Sequence, residues 1–184
     1  MKVTLLGDSI RLLGYGKRTE ELLKEDFEVY QPENNCQYAQ FTMRLLYDQK
    51  TQMAGTDIFH WNNGLWDTVD YFGDGPFSSA ETYVETMVRL ARLLKQDGAT
   101  VIFATTTPTF RHHQWDNAVI ADYNRRVVPA LQKEGVLIND LYSFVDPHKE
   151  EYIREDHVHL SEVGTEACAQ EVAGFIREVA KNLK

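Results

Sequence analysis

Five short apolar runs, each followed by a stretch with helical spacing, constrain the fold of this chain more than any other feature. The runs are Val3 to Leu6, Phe27 to Tyr30, Asp57 to Trp61, Thr100 to Thr105 and Val136 to Ile138. Thr100 to Thr105 is nearly continuous and rich in β-branched residues, the mark of a strand covered on both faces. Between the runs, apolar residues recur every three or four positions. Leu22 and Leu23 do so within Lys17 to Lys24, Phe41, Leu45 and Leu46 within Gln37 to Asp48, and Tyr83, Met87, Leu90 and Leu94 within Ala80 to Gln96. Further helices are expected at Asn117 to Glu134, with a kink or break at Pro129, and at Ser161 to Leu183. Gly14-Tyr15-Gly16 should interrupt the helical hint that begins at Arg11. Gly64 to Ser79 and Thr107 to Trp115 read as long loops.

Strand and helix that alternate in this way fold as a parallel sheet between two helical layers. The expected architecture is α/β, one three-layer α/β/α domain spanning residues 1–184. Its five-stranded parallel sheet should have the flavodoxin-like order 2-1-3-4-5. In such sheets ligands bind beyond the carboxyl ends of the strands. Ser9, Asn62-Asn63-Gly64 and the Thr107 loop all follow strand ends, so they should meet on one rim.

Composition narrows the function. The net charge of −9 and the lack of a Lys/Arg cluster argue against a nucleic-acid partner. No apolar run approaches membrane-spanning length, so no membrane partner is expected. The first strand starts at once, with no apolar leader before it, and the two cysteines, Cys36 and Cys168, lie far apart. Both facts read as a reduced, cytoplasmic chain without a disulfide. His157-Val158-His159 alone falls short of the three or four ligands that a zinc site needs. His112 and His113 sit on another loop, as solvated or substrate-rim residues. No metal and no other cofactor is expected.

The chemistry is concentrated at the chain's two ends. Leu5-Leu6-Gly7-Asp8-Ser9-Ile10 carries a strand through a tight turn to a serine at the start of a helix. Unpaired N–H groups and a favourable field are found at such a place, although serine also serves there as a plain N-cap. Near the other end stands Asp156-His157-Val158-His159-Leu160-Ser161-Glu162-Val163-Gly164. This is D-x-x-H before a helix that Ser161 can cap. Ser, Asp, His is one of the chain orders found in hydrolytic triads. A serine hydroxyl needs a base to become a nucleophile. Imidazole suits the task and is lost as a base when pH falls through its ordinary range, about 6–7.

With G-D-S on the first strand and D-x-x-H-L-S-x-x-G near the end, the chain resembles the SGNH (GDSL) hydrolase superfamily over almost its whole length. The resemblance implies Ser9 as nucleophile, His159 as general base and Asp156 as its orienting partner. It also implies oxyanion donors from the serine N–H, from a glycine after the second strand and from an asparagine in a G-x-N-D block after the third. In this chain the second block is Pro32-Glu33-Asn34-Asn35-Cys36, without glycine. The third is Asn62-Asn63-Gly64-Leu65-Trp66-Asp67, an N-x-G-L-x-D form that looks like a separate subgroup. Asn63, or failing it Asn62, is the expected side-chain donor, helped by Asn35. The alternative for these asparagines is that they only shape turns.

The resemblance implies a serine esterase for a small-molecule ester: a short acyl group, such as acetyl, on a carbohydrate or other small alcohol. Aromatic and acidic loops (Trp66, Tyr71, Phe72, Phe77, Phe110 and Trp115, with Asp67, Asp70 and Asp74) suit a neutral polyol. The rivals are a non-catalytic ligand-binding module on the same fold and a lysophospholipase- or thioesterase-like acylhydrolase. A nucleotide-binding flavodoxin-like protein is disfavoured, since no G-x-G-x-x-G or P-loop follows any strand.

Overall fold

The computed structural model describes residues 1–110 and 114–183. The readings of His112 and His113 therefore fall outside the described residues. The five strands are β1 (Lys2–Leu6), β2 (Glu28–Tyr30), β3 (Ile58–Trp61), β4 (Thr100–Ala104) and β5 (Leu137–Asn139). They form one parallel sheet in the order β2-β1-β3-β4-β5, with Val3 opposite Ile58 and Ile58 opposite Thr100. The expected fold class is the one observed.

Period-two alternation feeds two cores. Val3, Leu5, Ile58, Ile102 and Ala104 face one layer, while Leu6, Phe59, Trp61, Val101 and Phe103 face the other. The first layer is built on α1 (Gly16–Leu23) and α8 (Glu162–Lys181), which pack together. The second holds α2 (Ala39–Asp48), α4 (Ala80–Leu94) and α5 (Asn117–Lys133), with the short α3 (Lys50–Met53) after α2.

Gly14-Tyr15-Gly16 interrupts the helix after Ser9, as its glycines suggest: Gly14 leaves helical φ/ψ, and two helical pieces meet there across a kink. A π-type turn at Arg11–Tyr15, closed by the Gly16 N–H on the Arg11 carbonyl, carries the chain into α1. Gly14 bends the backbone there (φ −115°, ψ −116°), which lets Arg11 and Tyr15 both point inward. The second helix starts at Ala39 rather than Gln37. Gln37 takes a left-handed φ of 49°, and the Asn35 side chain accepts its N–H at 2.8 Å. Of the kink or break expected at Pro129, the break is absent, since α5 runs through the proline. That residue is exposed, so the carbonyl it leaves unbonded can turn to water.

Between β5 and α8 the sequence pattern predicts no element. The structure has α6 (Leu141–Val145), a 3₁₀ turn at Asp146–His148 and α7 (Lys149–Tyr152). This stretch sets the height of the C-terminal loop. Ser161 N–H donates to the Tyr152 carbonyl at 2.8 Å, and Ser161 Oγ donates to the Glu151 carbonyl at 2.7 Å. The same hydroxyl accepts the Gly164 N–H at 3.0 Å, so Ser161 caps α8 as its place in the sequence suggests.

Gly164 sits where a Cβ would come within 2.2 Å of the Tyr152 carbonyl oxygen. The obstacle is backbone on both sides, so it cannot rotate away. Gly164→Ala should destabilise the fold by about 1–3 kcal/mol, the usual cost of overpacking. A urea midpoint unchanged from the parent would refute this contact.

Candidate active site

The turn after β1 shows which residue caps and which is left for chemistry. The Asp8 carboxylate, not the serine, takes the N-cap role: its Oδ1 accepts the Ile10 N–H at 2.9 Å. Burial pushes the Asp8 carboxyl up, against the opposing influence of the Asn62 side chain, the Ile10 N–H and Arg11. Ser9 is thereby freed from the capping job. Its hydroxyl lies 2.9 Å from His159 Nε2, across 150 positions of sequence. His159 Nδ1 lies 2.8 Å from Asp156 Oδ2. The structure thus brings Ser9, His159 and Asp156 into one hydrogen-bonded row.

The D-x-x-H spacing achieves this through a tight local wrap. Asp156 Oδ1 accepts the N–H groups of Val158 and His159 at 3.0 and 2.8 Å. His157 takes a left-handed φ of 67° to close the turn. Arg154, which sequence reasoning missed, donates from Nε to Asp156 Oδ2 at 2.6 Å. Partial burial would raise the Asp156 carboxyl, but the His159 and Val158 N–H groups, Arg154 and the imidazole outweigh it. They hold it well below the usual carboxylate range. An ionised Asp156 accepting from Nδ1–H leaves Nε2 as an acceptor facing the serine hydroxyl.

The asparagines turn out differently. Asn63 is fully buried: its Oδ1 accepts Thr42 Oγ1 at 2.9 Å and Trp61 Nε1 at 2.8 Å, and its Nδ2 donates to the Gln37 carbonyl at 2.8 Å. Its own carbonyl accepts Tyr83 OH and Thr106 Oγ1. The donor that the sequence favours is therefore an interior tie between β3 and the segment before α2. The Asn62 side-chain oxygen is also engaged inside: Oδ1 accepts Tyr15 OH at 3.0 Å and lies where a Cβ on Gly7 would come within 2.0 Å. Gly64 is a glycine for steric reasons, with φ +139° and Thr106 Oγ1 2.1 Å from a would-be Cβ. Asn35 is half-buried and gives its Oδ1 to the Gln37 N–H, while no described residue takes its Nδ2.

Arg11 is the second residue missed. It is fully buried and makes no salt bridge among the described residues, although the Asp8 carboxyl feels its charge. Its guanidinium donates to Gln31 Oε1, to the Pro32 and Asn34 carbonyls and to the Gly7 carbonyl, at 2.8–3.2 Å. It thus ties the segment after β2 to the turn that carries Ser9. Cys36 adds two more ties, its N–H to the Gly7 carbonyl and its Sγ to the Gly7 N–H.

Asp67, expected as an acidic rim residue, is instead fully buried. Its carboxylate accepts the Ala39 N–H at the start of α2 and Ser78 Oγ at 2.9 Å, which pins both ends of the 64–79 loop. Burial raises its pKa to about 7, against those hydrogen bonds. Since the folded value lies above the unfolded one, Asp67 favours the folded state at low pH. That contribution is lost as pH rises from about 4 to about 7. His60 acts in the opposite sense: burial lowers it to about 4, so its contribution is lost as pH falls below about 6.5. Asp67→Asn should therefore melt progressively closer to, or above, the parent as pH rises from 5 to 8. A melting difference independent of pH would contradict a titrating Asp67.

No family model and no curated protein matches the chain by sequence. Solved structures do match its fold. An acetyl xylan esterase, AlAXEase, superposes with a TM-score of 0.79 at 17% identity, covering 96% of this chain and 100% of that one. The lipase/acylhydrolase from Enterococcus faecalis gives 0.80 at 17%, covering 96% and 95%. A carbohydrate esterase family 3 protein from Talaromyces cellulolyticus gives 0.74 at 19%, covering 100% of both chains. The fold is shared with these esterases and lipases. At such identities the likeness speaks to fold, and function must be argued from the side chains.

Proposed function

We propose that the protein is a serine ester hydrolase of SGNH type that removes a short acyl group, acetyl in the first instance, from a carbohydrate or similar polar alcohol. The observation that carries this reading is the row Ser9 Oγ, His159 Nε2 at 2.9 Å, and Asp156 Oδ2 at 2.8 Å from Nδ1. In this reading His159 Nε2 takes the Ser9 proton as Oγ attacks the ester carbonyl carbon. Asp156 stabilises the imidazolium so formed. The proton passes to the leaving alkoxide as the carbon–oxygen bond breaks, leaving an acyl-serine. Water, deprotonated by the same nitrogen, releases the acid and restores the serine. The oxyanion would meet the Ser9 N–H, which has no acceptor within its own helix, and Asn35 Nδ2, which no described residue takes.

The acetyl and carbohydrate parts draw support from the acetyl xylan esterase and the carbohydrate esterase among the fold neighbours and from a rim with aromatic and acidic residues. Among the described residues, no helix is long and apolar enough to cross a membrane. Cys36 and Cys168 are free and buried, in keeping with the cytoplasmic location expected from the sequence. A non-catalytic binding module is the second reading, favoured by the inward-turned Asn62 and Asn63. Hydrolysis of p-nitrophenyl acetate, butyrate and octanoate decides between them. The esterase reading expects kcat/KM to fall along the series. Release no faster than buffer for all three would favour the binding module, and a preference for octanoate would favour a lipid-type acylhydrolase.

A further inference from the structure

The rim carries an aromatic surface that the hydrolytic chemistry does not use. In the 64–79 loop Phe72 is 85% exposed, Phe77 50% and Tyr71 40%. Their rings are contiguous: Tyr71 lies 6.3 Å from both Phe72 and Phe77, and Phe77 lies 4.9 Å from Tyr38, between centroids. An apolar patch left in water at this density marks an interaction surface.

The loop that presents it is fastened at several points. Phe77 N–H donates to the Val69 carbonyl at 2.8 Å, closing the loop on itself. Asp70 Oδ1 accepts the Gly73 N–H, and Asp70 N–H donates to the Gln114 carbonyl at 2.8 Å. Asp67 holds its base, as described above. A surface fixed in advance binds without a large ordering cost.

Its place is the carboxyl rim. The loop follows β3, Tyr38 follows β2, and Cys36 ties that second segment to the turn before Ser9. On the other side, Phe110 N–H donates to the His157 carbonyl at 2.9 Å, within the loop that carries His159. The platform and the Ser9–His159 pair thus belong to one stitched ring of loops.

Charge selects the occupant. Residues 64–79 contain Asp67, Asp70 and Asp74 and no Lys or Arg. Nothing there would hold phosphate, sulfate or an anionic lipid surface. A second copy would bring the surface aspartates Asp70 and Asp74 together in a chain of net charge −9. A pyranose ring fits better: its C–H face meets the negative face of an aromatic ring, and its hydroxyls can donate to Asp70 and Asp74 at the edge.

We propose that Tyr38, Tyr71, Phe72 and Phe77 form a stacking platform for a neutral glycan chain, beside the sugar whose ester would meet Ser9. This rests on the esterase reading for its orientation but not for its binding. The test is calorimetric titration of xylohexaose, cellohexaose and mannohexaose into the Ser9→Ala protein, alone and combined with Phe72→Ser or Tyr47→Ser. Phe72 is so exposed that its replacement spares the core, and Tyr47 is an equally exposed aromatic (68%) on α2, away from this loop.

At least one hexaose should bind, with the association constant about tenfold weaker in Phe72→Ser and unchanged in Tyr47→Ser. Equal binding by all three proteins, or no binding of any hexaose, would overturn the proposal. So would self-association that disappears in Phe72→Ser. If the hexaose binds as expected while the parent fails to hydrolyse p-nitrophenyl acetate, the platform stands and the esterase reading falls. Hydrolysis with no Phe72-dependent binding gives the reverse.

Discussion

Ser9→Ala should lower turnover of p-nitrophenyl acetate by about 10⁴-fold or more, the scale on which loss of a triad nucleophile acts, with its thermal midpoint close to that of the parent. The two halves of this expectation come from different parts of the turn. Ser9 Oγ makes its contact with His159 Nε2, so its removal takes away the attacking atom. The structural duty of capping belongs to Asp8, whose Oδ1 holds the Ile10 N–H. Alanine at position 9 therefore leaves the helix start intact. A Ser9→Ala protein with parental turnover would place the chemistry elsewhere. One that lost activity only because it unfolded would make Ser9, rather than Asp8, the residue that secures the helix start.

Arg11→Met should cost about 3 kcal/mol or more in stability, since each buried polar group left unpaired costs about 1–3 kcal/mol. The Pro32 and Asn34 carbonyls would be left with no donor among the described residues, while the Gly7 carbonyl would keep only the Cys36 N–H. Methionine matches much of the stem but none of the fork. Lysine should rescue little, because a single ammonium cannot span acceptors that a planar guanidinium reaches in pairs. Activity should fall further than the folded fraction alone explains, because the same carbonyls hold the segment bearing Asn35 against the Ser9 turn. Urea titration combined with turnover per folded molecule measures both effects. A midpoint within about 0.5 kcal/mol of the parent, the range of ordinary surface substitutions, would show that the guanidinium is not the tie.

How much of the fold and site is legible in the sequence follows from which interactions are local. The sheet order comes through because five apolar runs alternate with helical spacing, and a parallel sheet with short crossovers leaves few topologies. The Ser9, Asp156 and His159 set is legible because Asp156 and His159 lie three residues apart, where one turn holds them in register. The oxyanion residues are not. An asparagine after a strand can donate to a substrate or tie a turn, and only tertiary partners decide. For Asn63 those partners are Trp61, Thr42 and Gln37. For Asn62 they are Tyr15 and the bare face of Gly7.

Gly14-Tyr15-Gly16 reads as a break because glycine is a poor helix former. Gly14 does kink the helix there, and what the pattern does not show is the π-type turn that spans the kink, with Arg11 and Tyr15 buried. Arg11 and Asp67 are hidden for a related reason. Charged residues are almost never fully buried unless paired, and no local pattern announces the acceptors around one or the donors around the other. One signal exists for Asp67: it closes the N-x-G-L-x-D block, which hints at a fixed place in the turn rather than a solvated one.

The central claim is that His159, oriented by Asp156, makes the Ser9 hydroxyl nucleophilic. Mass-spectrometric mapping of the protein after treatment with a fluorophosphonate tests it without a substrate. One adduct should form, on the peptide containing Ser9, and it should vanish in His159→Ala. An unmodified Ser9, or an adduct on a different serine, would contradict the claim.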